Sequence, residues 1–177
     1  MIDTTDRGPL VKKLLDVPLF DALDYTQIGA MLDIADMLSP EAGVVLCESR
    51  SVDERLLILL EGSLRLESAQ GEFVDNLEPV RVIGEMGVFT GQTRSSRVVS
   101  REGAQIVAIP AIELEELLEE DGQFAHHLFS SLIKLLYTRL HDINGEVVDL
   151  HDKVAKLKKR VTELSPGDPL LSELFPK

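Results

Sequence analysis

With 177 residues, 44% of them hydrophobic, the chain has enough apolar side chain for one good core and an accessory segment, so one domain is the default. A net charge of −13 and a pI near 4.7 disfavour DNA and anionic membrane as partners, because both are held by lysine and arginine set against phosphate. A single cysteine, Cys47, excludes an internal disulfide, and there is neither an apolar run near the ~18 residues of a membrane helix nor a charged-then-apolar leader; the expected compartment is a reducing cytoplasm.

The first forty residues read as helical. In 26–38 the apolar positions Ile28, Met31, Leu32, Ala35 and Leu38 fall three and four apart, one stripe of an amphipathic helix that Ser39 and Pro40 should end. From 43 to 110 the pattern changes to short apolar runs at 44–47, 56–60, 64–66, 73–77, 80–83, 98–99 and 106–109, with turn residues between them. That spacing predicts a β-sandwich or roll. Glu61-Gly62-Ser63 is expected to join two strands by a turn, and Gln70-Gly71-Glu72 to close a hairpin.

After Pro110 the pattern is helical again. A short acidic helix is predicted over 111–120, broken by Asp121 and Gly122, and a long one over about 123–164. Phe129, Ile133, Leu136, Leu140, Ile143, Val147, Leu150, Val154, Leu157, Val161 and Leu164 alternate spacings of three and four throughout. Up to about Leu140 this stripe is expected to serve in part as a lid on the roll. Beyond Val147 nothing in the chain remains for it to cover, and valine at a positions (147, 154, 161) with leucine at d (150, 157, 164) favours two parallel strands. The expected organisation is 1–122 for N-terminal helices and roll, 123–164 for a dimerisation helix, and 165–177 for a tail.

The stretch 83–99, I-G-E-M-G-V-F-T-G-Q-T-R-S-S-R-V-V, carries the chemistry. Gly84 lets main chain approach a ligand without an intervening Cβ, and N–H groups of a short turn can converge on phosphate oxygens. Arg94 offers a planar fork of donors for the same charge. Glu85 only accepts hydrogen bonds and is repelled by phosphate, so it suits a hydroxyl such as a ribose 2′-OH. A phosphate binder and a ribose binder nine residues apart suggest a nucleotide whose phosphate lies close to its own sugar. Elsewhere the chain has no Walker-type lysine loop, no G-x-S-x-G elbow and no carboxylate pair in a specific motif, so no enzyme activity and no catalytic residue are expected. His126, His127, His141 and His151 lack zinc spacing, Cys47 sits in an apolar run, and the basic group Lys153, Lys156, Lys158, Lys159 and Arg160 reads as a solvated helix face.

On these residues the chain resembles the cyclic-nucleotide-binding domains of the catabolite activator type, whose phosphate-binding cassette is close to G-E-L-G-L-F-x-x-G-Q-x-R-S-A. Here Gly84 to Phe89 and Gly91 to Ser96 follow it with one residue fewer in the loop; the V-P-L-F at 17–20 and the turn at 61–63 are also similar, while Ser49 and Val80 stand where the family commonly has glycine. The resemblance covers about 17–150. It implies an α+β fold: a jelly-roll-like β-roll with N-terminal helices and a long C-terminal helix. It also implies binding of cAMP or cGMP through Gly84, Glu85, Met86, Arg94, Ser95 and Ser96, with Arg139, Ile143 and Asn144 where base-facing residues lie. Thirteen residues follow Leu164, too few for the helix-turn-helix domain of the activators. The resulting expectation is a cytoplasmic homodimeric sensor without metal or other cofactor that acts on a partner protein rather than on DNA or membrane; the alternative is a ligand-free scaffold using the coiled coil and the tail.

Overall fold

The computed structural model describes residues 7–52 and 54–164; the expected helix stop at 165–169 and the tail residues Leu170, Leu171, Leu174 and Phe175 lie outside them. The chain divides into two compact units, one up to Leu132 and one from Ile133. The first holds an α+β fold. Helix α1 (Arg7–Leu15), a 3-10 turn (Pro18–Phe20) and α2 (Tyr25–Ile34) precede a single antiparallel sheet. Its strands are β1 (Asp36–Leu38), β2 (Val45–Cys47), β3 (Arg55–Glu67), β4 (Phe73–Leu77), β5 (Arg81–Ile83) and β6 (Arg97–Pro110), with a short helix α3 (Glu85–Thr90) between the last two. Helices α4 (Ala111–Glu120) and α5 (Gly122–Leu164) follow.

Two long strands organise the roll. β3 and β6 pair along nearly their whole length, from Arg55 opposite Pro110 to Glu67 opposite Arg97. Their outer edges are shared among short strands: β5 and β4 occupy successive stretches of β3, and β1 and β2 those of β6. The alternation along β3 sends Leu57, Leu59 and Leu64 to the roll interior, where they meet Ile83, Val98, Ile106 and Ala108. Leu56 and Ile58 face the other way yet are fully buried, because α2 and α4 pack on β6 beside them. A strand buried on both faces reads as an unbroken apolar run, which accounts for Leu56 to Leu60.

Two expectations need correction. The helix predicted to reach Leu38 stops at Ile34: Ala35 turns extended (φ −88°, ψ 152°), and Asp36 to Leu38 pair with Ala108, Val107 and Ile106 of β6. The predicted turn at 61–63 is no turn. β3 runs straight through it with irregular register between Leu59 and Leu64, where Gly62 adopts φ +82° and a Cβ there would overlap the Gly103 carbonyl oxygen. On α5, a second buried face lies beside the stripe that begins at Phe129. The side chains that α5 buries in the first unit are Phe124, Leu128, Ser131 and Leu132, on a different face, and the Ser131 hydroxyl accepts from the Ala22 N–H at 3.3 Å.

The remaining boundaries follow local chemistry. Asp24 caps α2, accepting from the N–H groups of Thr26 and Gln27 while the Gln27 amide oxygen accepts from the Asp24 N–H. Asp121 accepts from the N–H groups of Gln123 and Phe124, so the Asp121-Gly122 pair both breaks α4 and starts α5. The hairpin at 70–72 forms, closed by Ser68 N–H to the Glu72 carbonyl at 2.8 Å. Among the described residues the second unit is the remainder of α5 from Ile133, on which Ile143, Val147, Leu150, Val154, Leu157, Val161 and Leu164 are all exposed. Among the described residues no helix is long and apolar enough to cross a membrane.

Candidate functional site

The cassette is built around one left-handed residue. Gly84 ends β5 with φ +93° and ψ 5°, a conformation that costs glycine little, and the next residue enters α3 at once. The short turn expected after Gly84 is thus a helix of six residues, closed at its far end by Gly91, also left-handed (φ 68°), whose N–H donates to the Gly87 carbonyl. A left-handed residue followed by a right-handed one makes successive N–H groups converge, the backbone arrangement that favours an anion.

Two ionisable side chains are buried here, Glu85 at 6% and Arg94 at 8% relative exposure. Such residues are almost never that buried without a purpose or a partner. The Arg94 guanidinium lies directly over Gly84: the three atoms that a Cβ on Gly84 would meet first are all guanidinium atoms. Its Nη2 donates to the Arg55 carbonyl at 3.0 Å. The Arg94 main chain is held too, its N–H donating to the Ser51 carbonyl at 2.9 Å and its carbonyl accepting from the Arg50 N–H at 2.8 Å. Sequence reasoning missed this 48–51 turn as part of the site, since nothing local in the sequence links it to residue 94. Neither Ser49 nor Val80 takes positive φ, so a glycine is not needed at either; the left-handed position is Arg50 (φ 65°).

The other cassette positions lie around this pair. Gly84 and Ser96 are half-buried, while Met86 and Ser95 are exposed, and the Ser95 carbonyl accepts from the Ser49 hydroxyl at 3.4 Å. Phe89 on α3 meets Phe129 on α5 edge to face, centroids 5.5 Å apart at 67°, a contact within the first unit. The structure therefore gathers Gly84, Glu85, Met86, Arg94, Ser95 and Ser96 in one cassette. Arg139, Ile143 and Asn144 belong to the second unit, where Arg139 is half-buried and the other two are exposed. Among the described residues no group of His, Cys, Asp and Glu has the makings of a metal site.

Gly84→Ala tests this geometry. A Cβ would force left-handed strain of about 1–3 kcal/mol on the turn and drive the guanidinium off its seat. Urea denaturation should show the stability loss, and ligand affinity should fall with it; an alanine variant as stable as wild type would contradict the seat described.

Compared with known families, residues 38–121 match the model of the cyclic nucleotide-binding domain. That segment belongs to the cyclic nucleotide-binding domain family. Solved structures agree on the fold. A putative cyclic nucleotide-binding protein from Geobacter metallireducens aligns with a TM-score of 0.65 at 21% identity, covering 80% of this chain and 100% of that one. The catabolite activator protein of Thermus thermophilus aligns at 0.63 and 20% identity, covering 76% of this chain; the chain spans 63% of that protein. The regulatory domain of Toxoplasma gondii PKA, solved with cAMP, aligns at 0.63 and 16% identity, covering 78% of this chain and 51% of that one. No curated protein matches the chain in sequence. The domain's family boundaries take in the whole cassette and the 48–51 turn, and stop short of Arg139, Ile143 and Asn144.

Proposed function

We propose that the chain is a regulatory sensor that binds cAMP or cGMP in the cassette and signals to a partner protein through a homodimer of its C-terminal helix. The observation that carries this reading is the buried Arg94 guanidinium seated over the Cβ-less Gly84, beside the buried Glu85. A cyclic phosphodiester carries one negative charge and places it beside its ribose. Arg94 supplies the opposite charge with directional donors, Ser95 and Ser96 add hydroxyl donors, Met86 brings apolar surface to the rim, and Glu85 accepts from the 2′-OH. Arg139, Ile143 and Asn144 are the residues that the family resemblance assigns to the base; Asn144 offers a donor and an acceptor, Ile143 neither. No step of this calls for a catalytic group.

Calorimetric titration with cAMP, cGMP and AMP tests the reading. Saturable binding of a cyclic nucleotide with little or none of AMP, which carries an extra charge and an open phosphate, is the expected result; absence of binding of both cyclic nucleotides would leave the ligand-free scaffold. That second reading draws on Ile143, which cannot hydrogen-bond a base, and on the Arg94 donor already engaged by the Arg55 carbonyl.

The Phe89–Phe129 contact supplies the route from ligand to helix, because α3 carries Glu85 and α5 carries the exposed seam. An edge-to-face aromatic pair contributes about 0.5–1.5 kcal/mol. Phe129→Ala is expected to shift cyclic-nucleotide affinity by about two- to tenfold, since any coupling between ligand and helix acts in both directions. Identical affinities for cAMP in wild type and variant would remove this contact from the route.

A further inference from the structure

Beneath the cassette lies a charged cluster that the ligand chemistry does not use. Arg97, at the start of β6, donates through Nη1 to Glu67 Oε2 at 2.8 Å, and its Nε lies 3.1 Å from Glu48 Oε2. Glu67 closes β3, directly opposite Arg97 in the sheet register, and only 9% of it is exposed; Arg65 Nε approaches its other oxygen at 3.4 Å. Glu48, by contrast, is 62% exposed in its side chain and follows the last residue of β2. The two carboxylates, Glu67 foremost, hold the Arg97 guanidinium firmly charged. One cation thus joins an acid fixed in the sheet to an acid at the start of the 48–51 turn.

That turn is where Arg94 is held. It is tight: the Ser51 hydroxyl donates to the Glu48 carbonyl at 2.7 Å, and Arg50 takes the left-handed conformation (φ 65°). From it come both main-chain bonds to Arg94 and the Ser49 bond to the Ser95 carbonyl. We propose that Arg97 is a positioning residue of the cassette: by tying Glu48 to Glu67 it fixes the 48–51 turn against the sheet, and the turn in turn sets the backbone from which Arg94 reaches the phosphate. A fork of donors binds an anion well only when its direction is right, and such a group is held to within about 0.5 Å by its supporting shell. Arg97 is not itself a phosphate ligand, because the two carboxylates paired with its Nη1 and Nε would repel one.

The inference rests on the cassette being the phosphodiester site, and the test separates the two. Arg97→Lys keeps a cation beside the buried Glu67, so the fold is preserved, but a flexible ammonium lacks the rigid fork that holds both acids in one geometry. Glu48→Ala cuts the same tie at an exposed position, where substitutions cost little stability. Full-length wild type, both single variants and the double variant are titrated with cAMP and with cGMP, and their urea midpoints measured. Each single variant is expected to bind the recognised nucleotide about three- to thirtyfold more weakly, with midpoints near wild type, and the double variant no worse than the weaker single. A second readout needs no ligand: the Arg94 Nε–Hε resonance of the nucleotide-free protein should move in Glu48→Ala. Wild-type binding with unchanged affinity in both variants, or losses that multiply in the double variant, overturns the positioning role alone. Absence of binding in wild type overturns the site reading and this inference with it.

Discussion

Arg94→Ala is expected to reduce cyclic-nucleotide affinity by about thirty- to several-thousandfold while the protein stays folded. The range follows from removing one partner of a buried, hydrogen-bonded charge pair, about 2–5 kcal/mol. Most of that is the cost of leaving the phosphate desolvated and unpaired, not the gross strength of the contact. The fold should survive because Arg94 is not part of the apolar core: the roll is held by Leu57, Leu59, Leu64, Val98, Ile106 and their neighbours. Among what the variant loses within the protein is the bond to the Arg55 carbonyl, about 0.5–1.5 kcal/mol. Arg94→Lys should fall between, since a point charge replaces a fork. Glu85→Gln should cost less than Arg94→Ala, because an amide oxygen still accepts from a ribose hydroxyl. Calorimetry against cAMP and cGMP, with urea denaturation alongside, separates affinity from stability. Equal affinity in wild type and Arg94→Ala would remove Arg94 from the site.

The cassette was legible in sequence because its demands are local. A glycine that must take positive φ, an acid directly after it and an arginine beyond a second glycine all lie within one short stretch, and each residue type has few other uses there. The acidic helix and the start of α5 were legible for the same reason, with Asp121 and Gly122 stating a stop and a start together. The errors came where distant partners decide. Ala35 and Leu38 extend the helical stripe of α2, yet the hydrogen bonds offered by β6 draw 36–38 into the sheet. Gly62 signals a turn locally, but pairing with β6 on both sides of it keeps β3 continuous. The turn 48–51 illustrates the point at the site itself: its role depends on an arginine more than forty residues away. On α5 two apolar faces are superimposed in one sequence, and the regular stripe masked the shorter face, Phe124, Leu128 and Leu132, that is buried in the first unit.

The chain should sediment as a dimer through 143–164 whether or not nucleotide is bound, with the two helices parallel. Seven seam residues in that segment, Ile143, Val147, Leu150, Val154, Leu157, Val161 and Leu164, are each exposed by 42% or more, on a helix that has no other element of its unit beside it among the described residues. Burying them gains about 25 cal/mol per Å² of apolar area, and a continuous exposed stripe is what monomeric proteins avoid. β-branched residues at a with leucine at d select two parallel strands. The flanking charges help less. In a parallel register Glu146 would face His151 of the second copy, attractive when the imidazole is charged, whereas Lys153 would face Lys158 across the seam and repel. The dimer should therefore rest on the valines and leucines, and loosen near Lys153 as salt is lowered and screening lost. Leu150→Asp with Leu157→Asp puts four carboxylates into the proposed interface and should give a monomer at micromolar concentration, while cysteine placed at Leu157 of wild type should cross-link symmetrically. A wild-type monomer at that concentration, or a failure to cross-link, would sink the parallel dimer. Gly145 refines the same experiment. It occupies an outward f position where an added Cβ meets nothing within 4 Å, so Gly145→Ala should stabilise the helix by about 1 kcal/mol. If the helix bends there when nucleotide binds, that substitution must also change nucleotide affinity, because a two-state element biased at one end is felt at the other; a more stable dimer with unaltered affinity would leave the seam in place and remove the bend.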